Sequence, residues 1–130
     1  MIEIPEDIIK QIFEHGNRDI PNEACGYLAG RDGLVYKYIP LTNTDNSPEH
    51  FSFDPKEQFQ AFNNAKKEGL KLISVYHTHP ETPARPSKED IKLAFDPSIS
   101  YVIASMTDKN IKSFRIQNGV VENEELKIVK

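Results

Sequence analysis

Leu70-Lys71-Leu72-Ile73-Ser74-Val75-Tyr76-His77-Thr78-His79-Pro80 is the segment on which the architecture turns. Leu70, Leu72, Ile73 and Val75 make it the most apolar strand candidate in the chain, and Pro80 marks its exit. Alternate side chains of a strand point the same way, so His77 and His79 share one face and Thr78 takes the other. Two imidazoles converging from one rigid edge begin a zinc site. Taken alone, however, His-x-His is short enough to arise as two ordinary polar residues where a strand becomes a loop.

Working upstream, Asp54-Pro55 is a helix start, with Asp54 as N-cap and Pro55 at the first helical position. Phe59, Phe62 and Ala65 are spaced as its apolar face, and Gly69 ends it. Phe51-Ser52-Phe53 alternates as a short strand, and residues 41–50 are polar and read as a loop. Cys25–Gly30 and Leu34–Ile39 flank Arg31-Asp32-Gly33, a turn signal, and predict a hairpin. After Pro5, the apolar positions Ile8, Ile9, Ile12 and Phe13 have helical spacing, with Gly16-Asn17 as the expected stop. Downstream, Pro80, Pro83 and Pro86 enforce an irregular loop. Ser87-Lys88-Glu89-Asp90 opens another helix, its apolar face supplied by Ile91, Leu93, Ala94 and Phe95 and its end by Pro97. Strand candidates at 101–105, 111–116 and 120–129 finish the chain. This order predicts one α+β domain over residues 1–130, with α/β/α-like layers around a mixed central sheet.

Composition narrows the partners. The 130 residues carry 16 Lys and Arg against 20 Asp and Glu, a net charge of −4, and no basic cluster. Phosphate-backbone binding needs clustered Lys and Arg, so nucleic acid is not expected as a partner. A single cysteine, Cys25, excludes an internal disulfide and fits a reducing compartment. The acidic N-terminus lacks the order of a signal peptide, and no apolar run approaches the roughly 20 residues of a bilayer span. A cytoplasmic protein without a membrane segment is the expectation.

Asp90 completes the count for a catalytic zinc, which usually has three protein ligands and a water. It reaches the histidines if the proline-rich loop folds back. Ser87-x-x-Asp90 also matches a capping box, and the two roles are compatible. Glu23 lies far upstream, and its spacing gives no reason for it to meet the histidines; by itself it reads as a solvated loop carboxylate. A zinc hydrolase nevertheless needs a carboxylate outside the metal shell to take a proton from water. Glu14, Glu49, Glu81 and Glu89 compete for that role. Cys25 reads as a small core residue rather than a nucleophile, His50 as a surface residue rather than a fourth ligand, and Tyr76 as core. His15 stands near a helix end, where a partly charged imidazole suits the dipole.

Glu23, His77-Thr78-His79, seven residues, Ser87, two residues and Asp90 together resemble the JAMM motif of the MPN+ metallopeptidases. Pro-x-Glu-x-Cys-Gly before a strand is similar to that family too. The resemblance implies that His77, His79 and Asp90 hold Zn2+, that Glu23 is general base and then acid, and that Ser87 stabilises the oxyanion. It implies hydrolysis of peptide or isopeptide bonds at the C-terminal tail of ubiquitin-like proteins, with the short prokaryotic members acting on sulfur-carrier proteins with a Gly-Gly tail. Such a tail is expected to add as a strand along an exposed sheet edge. Two alternatives are an inactive MPN scaffold, which would show a broken motif, and a zinc hydrolase of small peptides or amides. A nucleoside deaminase would need a Pro-Cys-x-x-Cys that is absent.

Overall fold

The computed structural model describes residues 1–130. Its elements, in chain order, are β1 (Ile2–Pro5), α1 (Glu6–Asp19), β2 (Cys25–Arg31), β3 (Leu34–Leu41), α2 (Pro55–Lys67), β4 (Lys71–His79), α3 (Lys88–Lys92), β5 (Ser100–Ser105), β6 (Asn110–Gln117), β7 (Val120–Glu124) and β8 (Leu126–Val129). All eight strands form one sheet in the order β7-β6-β5-β4-β2-β3-β1-β8. It is mixed: β4 runs parallel to β5, and β1 is parallel to both β3 and β8. Its outermost strands, β7 and β8, are separated in the chain by Glu125 alone, so the sheet must curl until its edges approach. Ile2 N–H donates to Glu125 O at 3.0 Å where they meet.

Helices lie on both faces, as the expected layers require. On one face, Ile8 and Ile12 of α1 pack with Ile2, Ile4, Leu28, Val35, Tyr76, Val102 and Ala104. Each fully buried isoleucine contributes about 1.5–3 kcal/mol, so Ile2, Ile4 and Ile12 hold β1 and α1 to the sheet. On the other face, Ile103, Phe114 and Ile116 pack against Ala84, Ile91 and Ala94 from the loop and α3. The predicted hairpin is present, and Asp32 (φ 52°) and Gly33 (φ 80°) supply the two positive φ values of its tight turn. Gly26 pairs with Tyr76 across β2 and β4, where a Cβ would come 2.5 Å from the tyrosine ring.

Several local expectations are corrected. Ile2–Pro5, to which the sequence reading assigns no element, is a strand. α1 continues through Gly16 to Asp19, because Gly16 is where the helix crosses the sheet: a Cβ there would stand 2.6 Å from Met106 Sδ and 3.0 Å from Thr78 Cγ2. On α2, Asp54 caps Lys56 N–H as predicted, but the buried positions are Ala61 and Ala65. These small residues let the helix approach the sheet, leaving Phe59 67% and Phe62 54% exposed. α3 is one short turn of helix, and Phe95 lies beyond it, 81% exposed. Phe51–Phe53 contributes only a bridge from Phe53 to Asn43. His15 is buried against Tyr76, whose hydroxyl is 2.7 Å from its Nδ1, and burial lowers its pKa against the pull of Asp19. It is a buried core group bonded to Tyr76 rather than an exposed residue at the helix end.

Candidate metal centre

β4 carries His77 and His79 on one face, both buried. Their Nε2 atoms are 3.1 Å apart. The Pro-rich loop does fold back, held by Ser105 Oγ–H donating to Thr82 O at 2.8 Å and by burial of Ala84. It delivers α3 so that Asp90 Oδ2 lies 3.2 Å from His77 Nε2 and 3.1 Å from His79 Nε2. The capping box is formed: Ser87 Oγ accepts Asp90 N–H at 3.1 Å, and Asp90 Oδ2 accepts Ser87 N–H at 2.9 Å. One carboxylate oxygen therefore serves the cap and faces the imidazoles.

Glu23 arrives by register. Cys25 pairs with His77 in antiparallel β2 and β4, so two residues further back Glu23 stands opposite His79. Thr78, on the far face, fastens this extension: its N–H donates to Ala24 O and its Oγ1 accepts Ala24 N–H, both at 2.9 Å. Glu23 is only 2% exposed, with Oε2 4.0 Å from His79 Nε2. The solvated-loop reading of this residue is overturned. Glu14, Glu49, Glu81 and Glu89 are not part of the cluster that Glu23 forms with the two histidines.

The donor set fits a divalent cation. A carbonyl oxygen only accepts, so the 2.8 Å contact of His79 Nδ1 with Pro83 O places a hydrogen on Nδ1. In the neutral ring Nε2 then presents a lone pair toward Asp90 and His77. Acceptors so close repel unless a cation lies among them. Ligand atoms about 2.0–2.2 Å from a tetrahedral zinc stand roughly 3.3 Å from one another, near the spacing found here. Two trios share the histidine pair, one with Asp90 and one with Glu23, whose ligand atoms all fall within 4.8 Å. Asp90 has the closer and more even spacing. Glu23 stands one step back, and its Oε1 is buried with no hydrogen-bond partner.

The two carboxylates differ in charge preference. Burial, reinforced by the repulsion of Asp90 and Glu49, pushes Glu23 up to about 9. Burial would also raise Asp90, but the His77 ring beside it and the hydrogen bond from the Ser87 N–H hold it well below the usual carboxylate range. Such a split is the mark of a proton carrier beside a permanent anion. Cys25 is buried, and that burial pushes its thiol up to about 12, which disarms it as a nucleophile. His50 is exposed and bonded to Asp45 Oδ2 at 2.8 Å, outside the donor set.

Two features escape a reading of the motif. The Phe51 ring lies 4.8 Å from the His77 ring and walls it from one side. An apolar groove of about 850 Å3 opens from His77 and Asp90 between α2 and α3, lined by Phe51, Phe53, Phe62, Leu93 and Phe95. Its aromatic residues sit in a loop and on helix faces that propensity assigns to a strand or the core. β4 is an interior strand of the sheet, whose outermost strands are β7 and β8.

Known proteins resemble this chain in sequence and in fold. The family described as prokaryotic homologs of the JAB domain matches residues 5–117. The chain is 35% identical over 131 residues to the CysO-cysteine peptidase of Mycobacterium tuberculosis, covering 97% of this chain and 90% of the relative. It is 38% identical over 92 residues to a probable TtuB-protein conjugate cleaving protease of Thermus thermophilus, covering 70% and 62%. A solved solution structure from Desulfitobacterium hafniense superposes with a TM-score of 0.92 at 44% identity, covering 100% of this chain and 94% of that one.

Proposed function

The chain belongs to the prokaryotic JAB-domain branch of the JAMM metallopeptidases, and from that premise we propose that it is a zinc-dependent peptidase cutting the amide bond at the C-terminal Gly-Gly tail of a ubiquitin-like or sulfur-carrier protein. The observation that carries this reading is the convergence of His77, His79 and Asp90 to 3.1–3.2 Å beside a buried carboxylate with a free oxygen. The names of the two relatives, a CysO-cysteine peptidase and a protease of TtuB-protein conjugates, support the substrate class.

His77 Nε2, His79 Nε2 and Asp90 Oδ2 are the proposed ligands. Zinc held there supplies a Lewis acid that polarises the scissile carbonyl and lowers the pKa of water from about 16 to about 7. Glu23 takes the proton of the attacking water on its unpartnered oxygen and returns it to the departing amine. As a carboxylate outside the proposed ligand set, it is free to do both. Ser87 Oγ accepts the Asp90 N–H and keeps its own hydrogen for the carbonyl oxygen as negative charge develops. Loss of one such donor typically costs about 3–4 kcal/mol of the barrier. The tail enters along the groove, where glycines let the backbone approach the metal and Phe62, Leu93 and Phe95 offer apolar contact to the carrier. The chain acts as one unit over residues 1–130. No helix is long and apolar enough to cross a membrane, and we place the enzyme in the cytoplasm.

The test is to incubate zinc-loaded protein with ubiquitin-like proteins ending in Gly-Gly fused to a short extension, and to weigh the products by mass spectrometry. Cleavage immediately after the second glycine, absent with Glu23→Gln, is expected. Cleavage of short peptides alone would support the small-amide alternative instead, and intact substrate in every case would contradict the proposal.

A further inference from the structure

The Glu23 carboxylate has no hydrogen bond of its own, since Oε1 is unpartnered and Oε2 lies 4.0 Å from His79. Its position is therefore set through its backbone. Three bonds hold that backbone: Glu23 N–H to Ser47 O at 2.9 Å, Ala24 N–H to Thr78 Oγ1 at 2.9 Å, and Asn43 Nδ2–H to Glu23 O at 3.0 Å.

The Asn43 bond differs from the other two in what else its side chain holds. The residue is buried, and its amide is saturated. Nδ2 also donates to His50 O at 3.1 Å, with Ser47 O more distant at 3.5 Å. Oδ1 accepts Asp45 N–H at 3.0 Å and Ser52 N–H at 3.3 Å. These bonds close the loop over residues 45–52, the loop whose Phe51 ring lies against His77. One side chain thus ties the backbone of Glu23 to the segment that walls the histidine. An aspartate has no donor for the two carbonyls, a serine has only one, and a glutamine is a methylene too long to keep all four bonds in place.

We infer that Asn43 is a positioning residue for the hydrolysis: it fixes Glu23 against the histidine pair and couples it to the loop that carries Phe51. The inference rests on the assignment of Glu23 as the base proposed above. It assigns Asn43 no contact with substrate or metal.

Two substitutions divide its bonds. Asn43→Asp keeps the shape and both bonds accepted by Oδ1 but cannot donate to Glu23 O or His50 O, whereas Asn43→Ala loses all four. In zinc-loaded Asn43→Asp, zinc content and KM are expected to match the parent while kcat falls about 10²-fold, the cost of misplacing a reacting group by roughly an ångström. Amide hydrogen exchange at Asp45 and Ser52 should stay slow in Asn43→Asp and speed up in Asn43→Ala. An asparagine that merely stabilised the loop would lower the melting temperature and leave kcat of the folded protein unchanged, and that result overturns the inference. If the parent cuts no Gly-Gly-tailed carrier, the proposed activity fails by itself. The positioning claim is then decided in the metal-free protein by the carbonyl 13C shift of Glu23. It is expected to move in both variants while that of Ser105 stays, and an unmoved Glu23 signal overturns the claim.

Discussion

Glu23 is where chemistry and stability conflict most openly. A carboxyl whose pKa is raised from 4.5 to about 9 stays protonated in the folded metal-free protein at neutral pH, while the unfolded chain releases that proton. Stability contributed by this group is therefore full below pH 4.5 and declines as pH rises toward 9, a cost of roughly 3 kcal/mol at pH 7. Glu23→Gln removes that cost. Metal-free Glu23→Gln should melt higher than the parent, by a margin that widens from pH 5 to pH 8 in parallel calorimetric scans. In the zinc-loaded form the same variant should keep its metal and lose turnover by about 10²–10⁴-fold. A variant both less stable and fully active would remove Glu23 from the mechanism. Sequence alone could not place this residue, because nothing local marks a loop glutamate for burial; its position follows from the Cys25–His77 register. The His77-Thr78-His79 alternation was legible at once, since period two dictates a shared face.

At the scale of elements, α3 is the weakest support and carries a proposed ligand. It spans five residues and depends on the Ser87–Asp90 capping box. Ser87→Ala should cost about 1 kcal/mol in chemical denaturation. The backbone N–H of Ser87 that Asp90 Oδ2 accepts survives this change, so zinc affinity in chelator competition should fall only slightly. Asp90→Ala should weaken zinc further than Ser87→Ala, and equal affinity in the two variants would remove Asp90 from the ligand set. On the opposite side of β4, Gly26→Ala would press a methyl onto Ile39 O and the Tyr76 ring. Backbone and core must then shift, and a loss of about 1–3 kcal/mol in urea unfolding is expected. Caps and turns were readable because their signals are local: Asp54-Pro55, Asp32-Gly33 and Ser87-x-x-Asp90 each form as their residues predict. The faces of α2 were not, since alanines at 61 and 65 win the sheet by fitting closely and turn Phe59 and Phe62 outward. β1 was missed although Ile2 and Ile4 alternate, because four residues next to a strong helical pattern carry little weight on their own.

Across the whole molecule, residues as distant as Glu23 and Asp90 meet because the sheet places β2 beside β4 and the Pro-rich loop folds back onto β5. Long-range pairing of this kind leaves no trace in local periodicity, so the site as a unit was legible only through its resemblance to a family motif. The curl that brings β7 and β8 together around Glu125 was likewise invisible. An ion bound by two elements of opposite stability should link site and fold. Removing zinc with a chelator is expected to lower the melting temperature, and restoring free zinc to 100 times its Kd should return about 2.7 kcal/mol. A melting temperature indifferent to zinc would mean that the cluster does not bind it. The most direct measurement is anomalous diffraction at the zinc edge from crystals of the zinc-loaded protein. The account predicts a single strong peak about 2.0–2.2 Å from His77 Nε2, His79 Nε2 and Asp90 Oδ2, with Glu23 outside the coordination shell. A peak elsewhere, or one with Glu23 coordinated in place of Asp90, would contradict it.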